Sequence, residues 1–279
     1  MEFKKPKVLV IGETKLNIQQ EQAYLEHIGA PDWYGGNASD IETLSEIYSR
    51  SCYKSFGVGL NPNITKVREG NDVHLQNVIE SGHGSVLEHC MINFMFCDVS
   101  RVFTHELVRH RVGVAISQES LRYVRLTELK CFDFPRLGEE LTEEEEKWFR
   151  HKVEETFNYL ECVQQEMTNK FKLDDEKSFA KKKKLTSRMR RLAPLGLLTN
   201  IGWSANLRTL RHVIPLRTHK SAEEEIRVVF KEVGRICKNK YPNIFFDMEW
   251  YSDIDENRVS SGGEMVGELG EWRIVNRKV

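Results

Sequence analysis

The run Cys90–Cys97 (CMINFMFC) sets the first limit on the fold. Eight predominantly apolar residues suit a buried strand, and they fall far short of the ~18–20 that a membrane-crossing helix needs. No other apolar stretch approaches that length, so no membrane partner is expected. Strand and helix patterns alternate around this run. Val8–Gly12 reads as a buried strand entering a turn, with no G-x-G-x-x-G after it. Val73–Ser81 reads as a helix ended by Gly82, and Ser85 with Glu88 fits the capping box of a short helix. Asp98 or Ser100 can cap the next helix, whose apolar side carries Val102, Phe103, Leu107 and Val108. That helix delivers Arg109-His110-Arg111 at its C-terminal end, where the macrodipole favours cations.

From about residue 125 to 190 the chain becomes highly charged. Thr142 with Glu145 forms a second capping box, and Trp148, Val153, Phe157, Leu160, Val163 and Met167 recur at helical spacing. Lys181–Lys184 and Arg188–Arg191 read as a solvated basic face. Trp203–Ile214 is expected to be a helix broken by Pro215. Ser221 with Glu224 should then start another helix, with Ile226, Val229, Phe230, Val233 and Ile236 on its buried side. No Pro/Gly/Ser linker divides the chain, so residues 1–279 read as one domain with a charged helical insertion at about 125–190.

Charge is balanced, 41 basic against 42 acidic residues, which argues against a general nucleic-acid or membrane binder and makes any basic chemistry local. Six scattered cysteines show neither a metal-binding spacing nor a disulfide framework, so no metal site is expected and a cytoplasmic, reduced protein is. The local chemistry gathers in two places. Arg109-His110-Arg111 through Ser120-Leu121-Arg122-Tyr123 sets guanidinium forks beside hydroxyls and amides, the donor set for phosphate and for a sugar or base. Glu106, three and four residues before Arg109 and His110, has ordinary ion-pair spacing to them. Arg190, Asn206, Arg208, Arg211, His212 and Arg217 make a second cluster, for which Glu223–Glu225 are candidate acidic partners. Two cationic clusters in a neutral chain suit a small anionic ligand better than a long polyanion.

At these residues the chain resembles the flavin-dependent thymidylate synthases. The family signature is Arg-His-Arg, seven residues, Ser, one residue, Arg, and Arg109–Arg111 with Ser120 and Arg122 is similar to it. Gly82-His83-Gly84-Ser85-Val86-Leu87-Glu88-His89 resembles a second family motif, Arg50-Ser51-Cys52-Tyr53 an N-terminal one, and Asn206-Leu207-Arg208 through Arg217 a C-terminal one. The resemblance implies a single α+β domain with a mixed or antiparallel sheet and packed helices, assembled as a homotetramer with shared active sites. It implies FAD as cofactor, deoxyuridine monophosphate (dUMP) as the substrate methylated at C5, methylenetetrahydrofolate as carbon donor and NADPH as reductant. Carried over by position, His83, Ser85, Glu88, Arg109, His110, Arg111, Asn206, Arg208 and His212 would face FAD. Glu106, Arg109, Gln118, Ser120, Arg122, Arg190 and Arg217 would surround the nucleotide, with Arg122 and Arg190 at the phosphate and Arg217, the catalytic choice, at the pyrimidine edge.

The chain departs from the pattern at three points. Eight residues, Val112–Glu119, separate Arg111 from Ser120. Glu106 stands where a nucleotide-bonding Gln is expected, and His212 where an Asn is, beside a charged segment longer than usual. A related flavoenzyme with another C5 outcome, such as hydroxymethylation, or with another pyrimidine nucleotide, is the alternative these departures leave. A non-catalytic nucleotide- or RNA-binding homologue is the alternative from another class, resting on the basic stretch Lys181–Arg191.

Overall fold

Alternation with a period of two builds the centre of the molecule. In the computed structural model, which describes residues 1–64, 66–123, 126, 128–134, 141–252 and 269–275, two strands carry three of the largest buried side chains, Phe94, Phe96 and Trp203. The elements in chain order are β1 (Glu2–Lys4), β2 (Lys7–Glu13), α1 (Ile18–His27), α2 (Asp40–Tyr53), α3 (Asn71–Glu80), β3 (Met91–Ser100), α4 (Arg101–Leu107), β4 (Val114–Gln118) and β5 (Lys130–Phe132). They continue with α5 (Glu143–Lys170), α6 (Phe179–Met189), β6 (Leu198–Asn206), α7 (Leu207–Thr218), α8 (Glu224–Lys240), β7 (Met248–Ser252) and β8 (Gly270–Ile274). The main sheet is antiparallel, in the order β2-β3-β6-β4, while β1 pairs β5 in parallel and β7 pairs β8 in antiparallel fashion.

Ile92, Phe94 and Phe96 of β3 and Ile201, Trp203 and Ala205 of β6 point to one face, where Phe103 of α4, Leu210 and Ile214 of α7 and Phe230 of α8 cover them. The rings of Phe94, Phe96, Phe103, Trp203 and Phe230 stand 5.5–6.3 Å apart, a packed aromatic centre. The other face of the sheet is left uncovered by the described residues. Its rows, read from the register, are Leu9–Met95–Gly202–Ser117 and Gly12–Asn93–Ser204–Ala115. Leu9 is 48% exposed and Ile11 65%. The Val8–Gly12 segment is thus a half-exposed edge strand and not a fully buried one.

The expected helix at Trp203–Ile214 is corrected. Thr199, Ile201, Trp203 and Ala205 alternate with half-exposed neighbours, so this stretch is β6, and the helix begins only where Asn206 caps it. Pro215 does not break α7 either. It lies near the end of the helix, where the His219 N–H still donates to its carbonyl. The expected start at Ser221 is also displaced: the Glu223 side chain accepts from the Ile226 N–H and caps α8, while Ser221 bonds His219. Ser100 is the cap of α4, and the Thr142–Glu145 capping box starts α5 as expected. Phe157 of α5 is buried with Leu129, Cys131 and Leu197 in a separate small core, whereas Trp148 is exposed. Residues 125, 127 and 135–140 of the charged segment lie outside the described residues. Among the described residues, no helix is long and apolar enough to cross a membrane.

Candidate active site

The Arg109-His110-Arg111 run sits in a short joint between α4, capped at its end by Val108, and β4. Gly113 closes the joint with φ +68, and a Cβ there would stand 2.4 Å from both Asn206 Nδ2 and Thr209 Oγ1. The joint is tied to the start of α7. The Asn206 N–H donates to the Gly113 carbonyl (3.0 Å), the Thr209 hydroxyl donates to the Val112 carbonyl (2.8 Å), and the Thr209 N–H donates to Asn206 Oδ1 (2.9 Å). Because β6 runs straight into α7, the buried sheet places Asn206 and Thr209 against the joint.

A cavity of about 340 Å³ opens here, lined by Glu88, Arg109, His110, Arg111, Asn206, Arg208 and His212 among others. Seven of the nine residues expected at the cofactor therefore meet in one place. His83 and Ser85 do not line it; their neighbour Gly84 lines an adjoining cavity of about 460 Å³ with Arg208 and His212. The capping box expected of Ser85 and Glu88 does not form, because the Glu88 carboxylate is taken by Arg208 in an ion pair. His83 hydrogen-bonds Tyr53 instead. Arg109 and Arg111 have no ion pair among the described residues, so the cavity wall keeps a positive excess over Glu88.

Arg217 stands behind this wall. Its Nε–H donates to His110 Nε2 (2.7 Å), its Nη1 to Glu106 Oε2 (2.8 Å) and its Nη2 to the Glu106 carbonyl (3.0 Å). Glu106 therefore pairs with Arg217, not with Arg109 or His110 as spacing suggested: α7 brings a bidentate fork to it, while Arg109 turns to solvent. Three of the five guanidinium N–H groups are used, which leaves one on each Nη nitrogen. Burial, followed by the charges of Arg217 and His212, pushes the His110 imidazole down to about 4. It is neutral, and since Nε2 accepts from Arg217 its proton sits on Nδ1.

The remaining substrate candidates gather elsewhere. Gln118 donates to Thr104 Oγ1 (3.2 Å), and Ser120 Oγ accepts the Arg122 N–H (3.4 Å). The exposed Arg122 and Arg190 are without ion pairs among the described residues. Within one chain neither they nor Arg217 line the cavities around α7. One residue missed by sequence reasoning joins this second group. Arg101 is half-buried, donates only to the Glu119 carbonyl (3.3 Å), and leaves its buried Nε unbonded. Burial and the nearby Arg190 charge depress its pKa. A sequence signal existed: an arginine in the first turn of a helix opposes the macrodipole, so its placement needs another reason.

Two other arginines are structural. Arg211 makes a bidentate pair with Asp247 (2.7 and 2.8 Å), so its acidic partner is not Glu223–Glu225. Arg50, 3% exposed, pairs with Glu46 and binds the carbonyls of Ser55 and Arg68. It holds the loop after α2, and Tyr53 of the same motif hydrogen-bonds His83.

The class these features define is an α+β protein with a donor-rich, cationic cleft where an antiparallel sheet meets its helices. Residues 37–243 match the family described as thymidylate synthase complementing protein, and the chain belongs to that family. It is 34% identical over 224 residues to the flavin-dependent thymidylate synthase of Corynebacterium glutamicum, covering 79% of this chain and 84% of that one. The enzyme of the same description from Corynebacterium diphtheriae is 31% identical over 219 residues, 78% of this chain and 83% of its own. That of Mycobacterium tuberculosis is 29% identical over 221 residues, with 78% and 84% covered. The chain is an enzyme of the flavin-dependent thymidylate synthase family.

Proposed function

We propose that the protein makes thymidylate by FAD-dependent reductive methylation of dUMP at C5, with methylenetetrahydrofolate as carbon donor and NADPH as reductant. The observation that carries this reading is Arg217, held by Glu106 and neutral His110 beside the cavity of Arg109, Arg111 and Arg208. The donor set fits a flavin dinucleotide. Guanidinium forks at Arg109, Arg111 and Arg208 match pyrophosphate oxygens, and the pairing of Glu88 with Arg208 removes a carboxylate that would repel them. When bound, the flavin supplies the electrons for the reduction.

The chain's own residues bind and polarise. The two free N–H groups of Arg217 suit the oxygen and N3 of a pyrimidine edge, and a fixed cation there lowers the pKa of N3. Neutral His110 accepts from Arg217 without adding a competing charge. Glu106 tempers the cation but also locks its direction, so the carboxylate in place of an amide is an anchor for Arg217. Arg101, Arg122 and Arg190, three guanidiniums without an ion pair among the described residues, form the phosphate end.

Neither the phosphate end nor Arg217 lines the described cavities around α7, and a homotetramer whose sites are completed by neighbouring copies would bring them to the flavin. The uncovered sheet face, with Leu9, Ile11 and Met95 beside small residues, offers a surface for that packing. The deciding experiment is the mass of the nucleotide after anaerobic incubation with FAD, NADPH, methylenetetrahydrofolate and dUMP. A gain of one CH2 supports the proposal; a gain of CH2O transfers it to hydroxymethylation, and an unchanged nucleotide refutes dUMP as substrate.

A further inference from the structure

α4 has seven residues, two turns that would not persist alone in water. A carboxylate from another helix holds its start. Glu225, in the first turn of α8, is 2% exposed. The Ser100 N–H donates to Glu225 Oε1 at 2.6 Å and the Ser100 hydroxyl donates to Oε2. Ser100 Oγ in turn accepts the Phe103 N–H at 3.2 Å, so the carboxylate orients the cap that begins the helix. No cation pairs with Glu225 among the described residues. A buried carboxylate with no counter-charge is a destabilising way to anchor a helix, since an apolar or neutral residue would avoid the desolvation.

We propose that Glu225 is a positioning residue for the active site: its carboxylate clamps the start of α4 and so sets Arg101, Glu106, Arg109 and His110. The proposal rests on the function argued above, because those four residues matter together only if they serve one ligand pair. Burial pushes the Glu225 carboxyl up to about 7, opposed by the two Ser100 hydrogen bonds and reinforced by Glu223 on the same helix end. The Cys131 thiol of β5 is the other titratable neighbour, pushed up to about 11 by burial, with the Glu225 charge contributing. Arg101, next to Ser100, directs its guanidinium to the Glu119 carbonyl.

The sign of the linkage separates positioning from stability. A carboxyl whose folded pKa is raised favours the folded state fully below its unfolded pKa, and that contribution is lost as pH rises through about 7. At pH 8 the ionised Glu225 therefore lowers stability, and Glu225→Gln should melt at the same temperature as the parent protein or higher. Its turnover at pH 8 should nevertheless fall at least ten-fold, with Glu225→Asp recovering part of it. The parent kcat/KM should decline below about pH 7, and that limb should be absent in Glu225→Gln. In the ligand-free protein, amide hydrogen exchange over residues 101–108 should accelerate at least ten-fold in Glu225→Gln. Turnover within two-fold of an active parent, or a melting temperature that drops in step with turnover, overturns the proposal. If the parent does not methylate dUMP, the functional reading fails separately and exchange decides alone: faster exchange upholds the clamp, and unchanged exchange overturns it.

Discussion

Arg217 and Arg208 occupy the two sides of the cationic wall and should separate on mutation. Arg217→Ala removes the guanidinium proposed for the pyrimidine edge, so turnover should fall at least 100-fold while FAD affinity stays within about three-fold. Arg208→Ala, and His110→Ala likewise, should weaken FAD instead. Losing a charge-assisted hydrogen bond costs about 1.5–3 kcal/mol, or roughly ten- to 100-fold in Kd. Flavin fluorescence titration with steady-state kinetics checks both; normal turnover in Arg217→Ala would remove that residue from the mechanism. Glu106 gives a finer contrast. Glu106→Gln keeps an acceptor for Arg217 Nη1 and should hold KM for dUMP within about three-fold. Glu106→Ala frees the guanidinium and should lower kcat at least ten-fold.

The joint between α4 and β4 owes its shape to one glycine and one cap. Gly113→Ala would force a left-handed φ on a residue with a Cβ and drive that atom against Asn206 and Thr209. A destabilisation of about 1–3 kcal/mol is expected from the strain. Weaker FAD binding should accompany it, because the same clash moves Arg109 and Arg111. A calorimetric melt and a flavin titration on one preparation test this, and unchanged values in both would mean that the joint is not held as described. The strength of the α7 start comes from β6 behind it: Trp203 and Ala205 are fully buried, so Asn206 and Arg208 inherit a rigid base.

The ligand-directed residues of the whole molecule fall in two groups, of which only the one around Arg109 and Arg208 lines the described cavities beside α7, and the proposed tetramer would complete each site from two chains. Two inactive variants, Arg217→Ala and Arg190→Ala, should therefore complement each other when mixed under conditions that exchange subunits. Hybrid assemblies would contain some sites with both arginines, and activity should return to a measurable fraction of the parent. Continued inactivity, with subunit exchange shown by mass spectrometry, would place the two arginines in the same chain's site. Light scattering should report a particle near four chains of 32.6 kDa each.

The local chemistry was legible along the chain because it depends on neighbours a few residues apart. Ser100, Thr142 and the Arg109–Arg111 run announce a cap, a capping box and a helix-end cation cluster by type and spacing alone. The Arg-His-Arg and Asn-x-Arg segments pointed to a cavity that the structure assembles from seven of the nine residues named for it. Other features depended on partners far away along the chain. Trp203 reads as a helical residue until β3 and β4 pair on either side of it and make its period two. Glu106 lies beside Arg109 in sequence, yet its partner is Arg217, supplied by a helix that the sheet core aims at it. Glu225 was silent for the same reason: what marks it is burial without an ion-pair partner among the described residues, and burial is decided by the assembled core and not by the local sequence.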